Sequence, residues 1–145
     1  MPAVTVALSR RLVLRSLAAS ALAGALPRAG RALEALGRPE ALLIALADLH
    51  SPYRALPRLR AAVAAAKAAF PGVPSAVLVN GDLFERGNVA ARRSRGAADW
   101  AVLGALAAEG PVLLNLGNHE GAPEDDLATV VARAEGLGAA VIGNV

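Results

Sequence analysis

Three short stretches of the sequence carry residue types that bind cations and move protons: Asp48-Leu49-His50, Asn80-Gly81-Asp82 and Gly117-Asn118-His119-Glu120. In an extended segment, side chains two apart point to the same side, so the carboxylate of Asp48 and the imidazole of His50 can share one ion. Gly81 permits a sharp exit that turns the Asp82 carboxylate toward the same crevice. Gly117 does the same service ahead of Asn118 and His119. Asp, His, Asp, Asn and His converging on one edge suit borderline or hard divalent ions such as Mn, Fe or Zn. The chain has no cysteine, which removes thiolate metal sites, disulfides and cysteine nucleophiles together. It has two histidines, and both fall in these stretches.

Such residues work only if the chain brings them to one place, and the flanking sequence describes how. Each stretch ends an apolar run of strand length: Ala41–Ala47, Ala76–Asn80 and Val112–Leu116. Between them lie helical segments. Pro57–Ala69 is Ala-rich, opens on proline and stops before Pro71-Gly72; Ala97–Ala108 closes on Gly110-Pro111. Pro123–Leu137 begins with acids, favourable at a helix N-terminus, and leaves through Gly136 and Gly138. Ala140–Ile142 reads as a fourth strand. Strands that are apolar throughout and alternate with helices predict an α/β fold, with a mainly parallel sheet covered on both sides and right-handed crossovers. Ligands of such sheets bind beyond the carboxyl ends of the strands, where all three stretches fall. Trp100, Phe70 and Phe84 are expected to pack in the interior, and Arg92, Arg93 and Arg95 to form a solvated approach to a helix.

Composition bounds the partners. The 145 residues, 55% hydrophobic, amount to one modest domain. Aromatic residues make up 3%, too few for the stacking platforms that single-stranded nucleic acids use. The net charge of +3 is unevenly placed: before residue 40 six arginines face one acid, while the remainder carries nine basic and eleven acidic residues. A mildly acidic body is not expected to bind a nucleic-acid polymer. The basic leader, residues 1–39, resembles a bacterial twin-arginine export signal: Ser9-Arg10-Arg11-Leu12-Val13-Leu14-Arg15, then an uncharged run from Ser16 to Leu26, then Pro27-Arg28-Ala29. That run is too short to cross a hydrocarbon core of roughly 30 Å, so no stable membrane anchor is expected. The expectation is export, to the periplasm in a bacterium, with residues 40–145 as the working part.

The ordered set Asp48-x-His50, Gly81-Asp82 and Gly117-Asn118-His119-Glu120 resembles the first three motifs of the calcineurin-like metallophosphoesterase superfamily, over roughly Leu42 to Glu120. The resemblance implies the N-terminal half of a four-layer α/β/β/α sandwich. It also implies a phosphomonoesterase that hydrolyses small phosphate esters through hydroxide on a dinuclear metal centre. Asp48 and His50 would bind the first metal, Asp82 would bridge both, Asn118 would bind the second, and His119 would stand beside the leaving group. Gly81-Asp82-Leu83-Phe84-Glu85-Arg86-Gly87 resembles the second motif of the serine/threonine phosphatase branch. There the residue matching Glu85 orients the catalytic histidine and the one matching Arg86 grips phosphate. Ala140–Val145 is similar to a strand of secreted 5′-nucleotidases, although Gly121-Ala122 stand where that branch carries an aromatic residue and Asp. The superfamily centre uses further histidines from a second half, so this chain is expected to hold an incomplete centre that is inactive alone. A different reading is a non-catalytic α/β domain gripping an anion or one structural cation. A dinucleotide-binding half-sheet lacks the Gly-x-Gly-x-x-Gly that it needs after the first strand. Oligomeric state is not legible.

Overall fold

The computed structural model describes residues 4–9, 39–124 and 126–143. Five strands form one sheet: β1 (Val4–Ser9), β2 (Leu42–Ala47), β3 (Ser75–Asn80), β4 (Val112–Asn115) and β5 (Ala139–Ile142). They lie in chain order, and every neighbouring pair is parallel. A short 3-10 turn, Tyr53–Ala55, leads into α1 (Leu56–Ala69) between β2 and β3. Helices α2 (Val89–Ser94) and α3 (Ala97–Ala107) connect β3 to β4, and α4 (Leu127–Gly136) connects β4 to β5. The fold is therefore α/β, a parallel sheet with flanking helices, as the alternation of apolar runs and helical segments predicts. Among the described residues, no helix is long and apolar enough to cross a membrane.

Right-handed crossovers between strands taken in chain order return each time to the same face of the sheet. Burial agrees. Leu42, Ile44 and Leu46 of β2, Val77 and Val79 of β3, Val112 and Leu114 of β4 and Ala139 of β5 are buried. They form one core with Leu59 and Val63 of α1, Trp100, Leu103 and Leu106 of α3, and Val130 and Ala134 of α4. Their neighbours along the strands, Leu43, Ala45, Leu78 and Leu113, are only half-buried. The expectation of helices on both sides is thus corrected: among the described residues they cover one face. Continuous apolar strands do not reveal this, because both faces are apolar in sequence and only the strand order separates them.

The described residues add three details to the sequence reading. Val4–Ser9, inside the expected leader, is a strand with Val4 opposite Leu42 and Ser9 opposite Ala47; residues 10–38, with the arginine pair, lie outside the described residues. Helix α2 is a short extra element that begins where the Asn88 side chain accepts from the amides of Ala90 and Ala91. Helix α4 starts at Leu127, not at Pro123, because Asp126 takes the capping position and accepts from the Ala128 amide at 3.0 Å. The aromatic expectations hold: Trp100 and Phe84 are buried with ring centroids 4.7 Å apart, and Phe70 packs against the core.

Candidate metal centre

Each chemical stretch begins where a strand stops. After β2 the chain does not stay extended. Asp48, His50 and Ser51 take φ values of 58, 47 and 57°, and Leu49 between the first two turns into the core. The extended geometry expected for Asp48-Leu49-His50 is thereby corrected, yet the two side chains still meet: His50 Nε2 lies 2.7 Å from Asp48 Oδ1. Left-handed turns hold them together instead of strand alternation. After β3, Gly81 (φ 73°) and Asp82 (φ 54°) make the same kind of exit. Their loop is tied to its neighbours by backbone bonds, from His50 N–H to the Asp82 carbonyl at 2.8 Å and from Gly81 N–H to the Asn115 carbonyl at 3.0 Å.

Glu120 braces the third stretch against the second. It is fully buried, and its carboxylate accepts from the amides of Leu83 (2.7 Å), Gly117 (2.6 Å) and Asp82 (3.2 Å). Its role was not visible in the sequence beyond its place after Asn118-His119. Asp82 Oδ1 in turn accepts from the His119 amide at 3.2 Å. Gly117 leaves room for this knot: a Cβ there would lie 2.5 Å from Asp82 Oδ1 and 2.9 Å from Glu120 Oε2. The glycine is thus required by close packing against a donor side chain.

The site residues divide as follows. Asp48, His50 and Asp82 place donor atoms within 4.8 Å of one another, and so do His50, Glu85 and His119. Donors of one first-row ion, each held at about 2.1 Å, stand about 3 to 3.5 Å apart, so either group can close on a cation with small side-chain movements. The donor chemistry, oxygens with imidazoles and no sulfur, fits a divalent ion of the Mn, Fe or Zn kind. Asn118 lies in the exposed turn between Gly117 and His119. Rings of His50 and His119 stand perpendicular with centroids 5.0 Å apart.

Glu85 joins the two histidines. Its Oε2 is 3.0 Å from His50 Nδ1, a close approach that is not aligned as a hydrogen bond, and 3.8 Å from His119 Nδ1. The carboxylate therefore sits nearer to His50 than to the histidine that the resemblance has it orient. The Gly87 amide, donating to Glu85 Oε1 at 2.8 Å, holds the carboxyl below the usual carboxylate range; both imidazoles add to this and partial burial opposes it. Arg86 donates to the Gly121 carbonyl at 3.0 Å, which fastens the guanidinium to the loop after His119.

A second buried contact, between Ser51 and Asp99, was not legible in the sequence. Ser51 Oγ donates to Asp99 Oδ2 at 3.0 Å, linking the Asp48-His50 loop to the first turn of α3. Asp99 is fully buried, and burial pushes its carboxyl up despite the Ser51 hydroxyl. A separation of 48 residues leaves no local pattern that would announce the pair.

A parallel sheet with acid and imidazole donors gathered beyond its carboxyl edge is the frame of a metal-binding α/β protein. The family model described as calcineurin-like phosphoesterase matches residues 42–138, and the chain belongs to that family. No curated protein and no solved structure matched the chain. Membership makes metal-dependent hydrolysis of phosphate esters the general activity, and the grouped donors are the residues available for metal.

Proposed function

We propose that the chain contributes the metal-holding residues of a phosphomonoesterase for small phosphate esters, with two divalent ions as cofactors. Asp48, His50 and Asp82 would hold the first ion, and Asp82 with Asn118 the second. The observation that carries this reading is the convergence of Asp48, His50 and Asp82 beside a glycine whose missing Cβ leaves Asp82 free to face them. Bound there, the ions would neutralise the phosphate oxygens and activate water for in-line attack.

The remaining steps belong to side chains of this chain. His119 lies within reach of the same point, is backbone-tethered to Asp82, and is partly open to solvent. It is placed to give a proton to the departing alkoxide, a contribution typically worth about 10²- to 10⁴-fold in rate. Glu85, its carboxyl held below the usual range chiefly by the Gly87 amide, places its Oε2 3.0 Å from His50 Nδ1 and 3.8 Å from His119 Nδ1 and so helps to fix both rings. Arg86 presents a planar fork suited to phosphate oxygens, on a side chain already steadied by Gly121.

The direct experiment is Asp82→Asn in the full-length gene product, with metal content and hydrolysis of p-nitrophenyl phosphate measured on the same preparation. The expected result is loss of bound metal and a fall of about 10²-fold or more in kcat/KM. Unchanged metal and unchanged hydrolysis would overturn the proposal. Metal bound by the native full-length protein without any hydrolysis would point to a cation-binding domain instead.

A further inference from the structure

Beside the candidate centre, a cavity of about 380 Å³ opens between the loop after β3, helix α2, the start of α3 and the loop after His119. Glu85 belongs to both places: its side chain touches the two histidines and also lines the cavity. Phe84 and small apolar residues contribute the carbon surface. Charge comes from Arg86, Arg92, Arg95 and Asp99. Arg86 is fastened to Gly121, and Asp99 gives one oxygen to Ser51 while its Oδ1 has no partner. Among the described residues, the side chains of Arg92 and Arg95 make no ion pair or hydrogen bond, and both residues line this cavity.

The backbone indicates that these arginines are placed with some care. Arg95 closes α2 in the left-handed conformation, φ 50°, where glycine is ordinarily favoured. Gly96 follows at φ 75°, and a Cβ on it would lie 2.6 Å from Pro123 Cβ. That glycine lets the Pro123 loop close against the helix pair and form the cavity wall. The chain thus spends its glycine on packing and keeps a long cationic side chain at the adjoining left-handed position.

A phosphate seated among Asp48, His50, Asp82 and His119 must direct its ester-linked carbon outward, and the adjoining cavity is a place for it. We propose that this cavity is the subsite for the alcohol portion of the phosphoester, and that this portion carries a second anionic group, carboxylate or phosphate, held by Arg92 and Arg95. The assignment rests on the phosphomonoesterase reading above and names its substrate class: small esters with a short carbon skeleton and two anionic ends. Esters of neutral alcohols fill the carbon surface and leave both arginines without a partner.

A matched three-carbon series tests it on the full-length gene product supplied with Mn²⁺: glycerol 3-phosphate, 3-phosphoglycerate and glycerol 1,3-bisphosphate. The native chain is expected to favour one or both of the last two over glycerol 3-phosphate by about 10-fold or more in kcat/KM, carried mainly in KM, since charge-assisted contacts of this kind are worth about one to two decades. The arm that gains identifies the anion. Arg92→Ala/Arg95→Ala should erase the preference, and Arg92→Lys/Arg95→Lys should restore part of it. If all three esters are hydrolysed and the ratio is the same in the native chain and the alanine variant, the subsite is wrong while the hydrolase reading stands. If the native full-length protein hydrolyses none of them, the hydrolase reading fails, and binding decides the subsite separately. Glycerol 1,3-bisphosphate is then titrated into metal-free protein while following the fluorescence of Trp100, the sole tryptophan, which neighbours Asp99 in sequence and packs on Phe84. Saturable binding that weakens at least about 10-fold in the alanine variant supports the subsite; equal binding, or none, overturns it.

Discussion

The two ends of the parallel strands are built differently. At the end where β3, β4 and β5 begin, the turns take positive φ with glycine, at Gly72 (75°), Gly110 (143°) and Gly138 (89°). At the end where β2 and β3 finish, the left-handed positions are filled by Asp48, His50, Ser51 and Asp82, and only Gly81 among them is a glycine. A residue with a Cβ in that conformation costs roughly 1 to 2 kcal/mol relative to the right-handed helical form, somewhat less for Asp, whereas glycine adopts it freely. The structure accepts strain at one edge and avoids it at the other. Strained positions persist only where their surroundings over-determine them, and they cluster at functional sites. Here the surroundings are visible: the Glu120 carboxylate on three amides, the His50 amide on the Asp82 carbonyl, and Ser51 on Asp99.

The largest expected effect comes from removing that brace. Glu120→Gln keeps the shape of the side chain but replaces one acceptor oxygen by an NH₂ group. One oxygen of Glu120 serves Asp82 and Gly117 and the other serves Leu83, so either orientation of the amide sets a donor against a buried N–H. The cost should be about 3 kcal/mol in urea unfolding of metal-free protein, a large share of the 5 to 15 kcal/mol that a domain commonly has. Metal affinity should fall by about 10- to 100-fold, as when outer-sphere support of a ligand is lost. Unfolding within about 0.5 kcal/mol of the native chain would show that the strained edge is held by something else.

A pair of glycine exchanges then tests the contrast itself. Gly138→Ala puts a Cβ at a left-handed position where the nearest neighbour is Ala107 Cβ at 4.0 Å, so its cost is that of the backbone, about 1 kcal/mol. Asp48→Gly relieves a left-handed residue whose side chain is largely exposed, while adding freedom to the unfolded chain, and should leave stability unchanged or raise it by up to about 1 kcal/mol. Metal binding should weaken in the second variant and not in the first. If thermal denaturation shows both exchanges equally destabilising, the two edges do not differ in the way described.

How much of this could be read beforehand follows from which interactions are local. Strand-length apolar runs, a proline at the start of α1 and glycines at chain turns are local, and they marked β2 to β5 and three helices closely. That Asp48, His50, Asp82 and His119 would lie near one another was legible because each follows a strand. Topology then brought Asp48, His50 and Asp82 to one edge, and the loops seated His119 beside them. What stayed hidden is what depends on distant partners. Helices settle on one face because of strand order, Glu120 works through amides 37 residues away, and Ser51 meets Asp99 across 48 residues. The left-handed form of Asp48 and His50 was hidden for the opposite reason: nothing in the residue types asks for it, and tertiary bonds impose it. Arg92 and Arg95 were read as a solvated approach, and they are exposed, but the cavity they border comes from the Gly96–Pro123 contact, which no short pattern announces.

The smallest expected effect is a pH dependence, and it sharpens the contrast by isolating one strut of the strained edge. Asp99 is buried, and its folded-state carboxyl titrates above its ordinary value of 3.8, because burial disfavours the charge more than the Ser51 hydroxyl supports it. Between 3.8 and that raised value the folded chain holds a proton that the unfolded chain has released. Stability therefore falls as pH rises through this window, and the group costs stability above it. Asn at the same position can still accept from Ser51 and carries no charge to bury. The difference in urea midpoint between Asp99→Asn and the native chain should move in favour of the variant as pH climbs through the window, then level off. Glu85, held below its usual range, acts with the opposite sign at lower pH, but it is present in both proteins and cancels in the difference. A difference that stays flat across the window would mean that Ser51 is held in its left-handed turn without an ionisable partner. The strain at this edge would then rest on Glu120 and the backbone bonds alone.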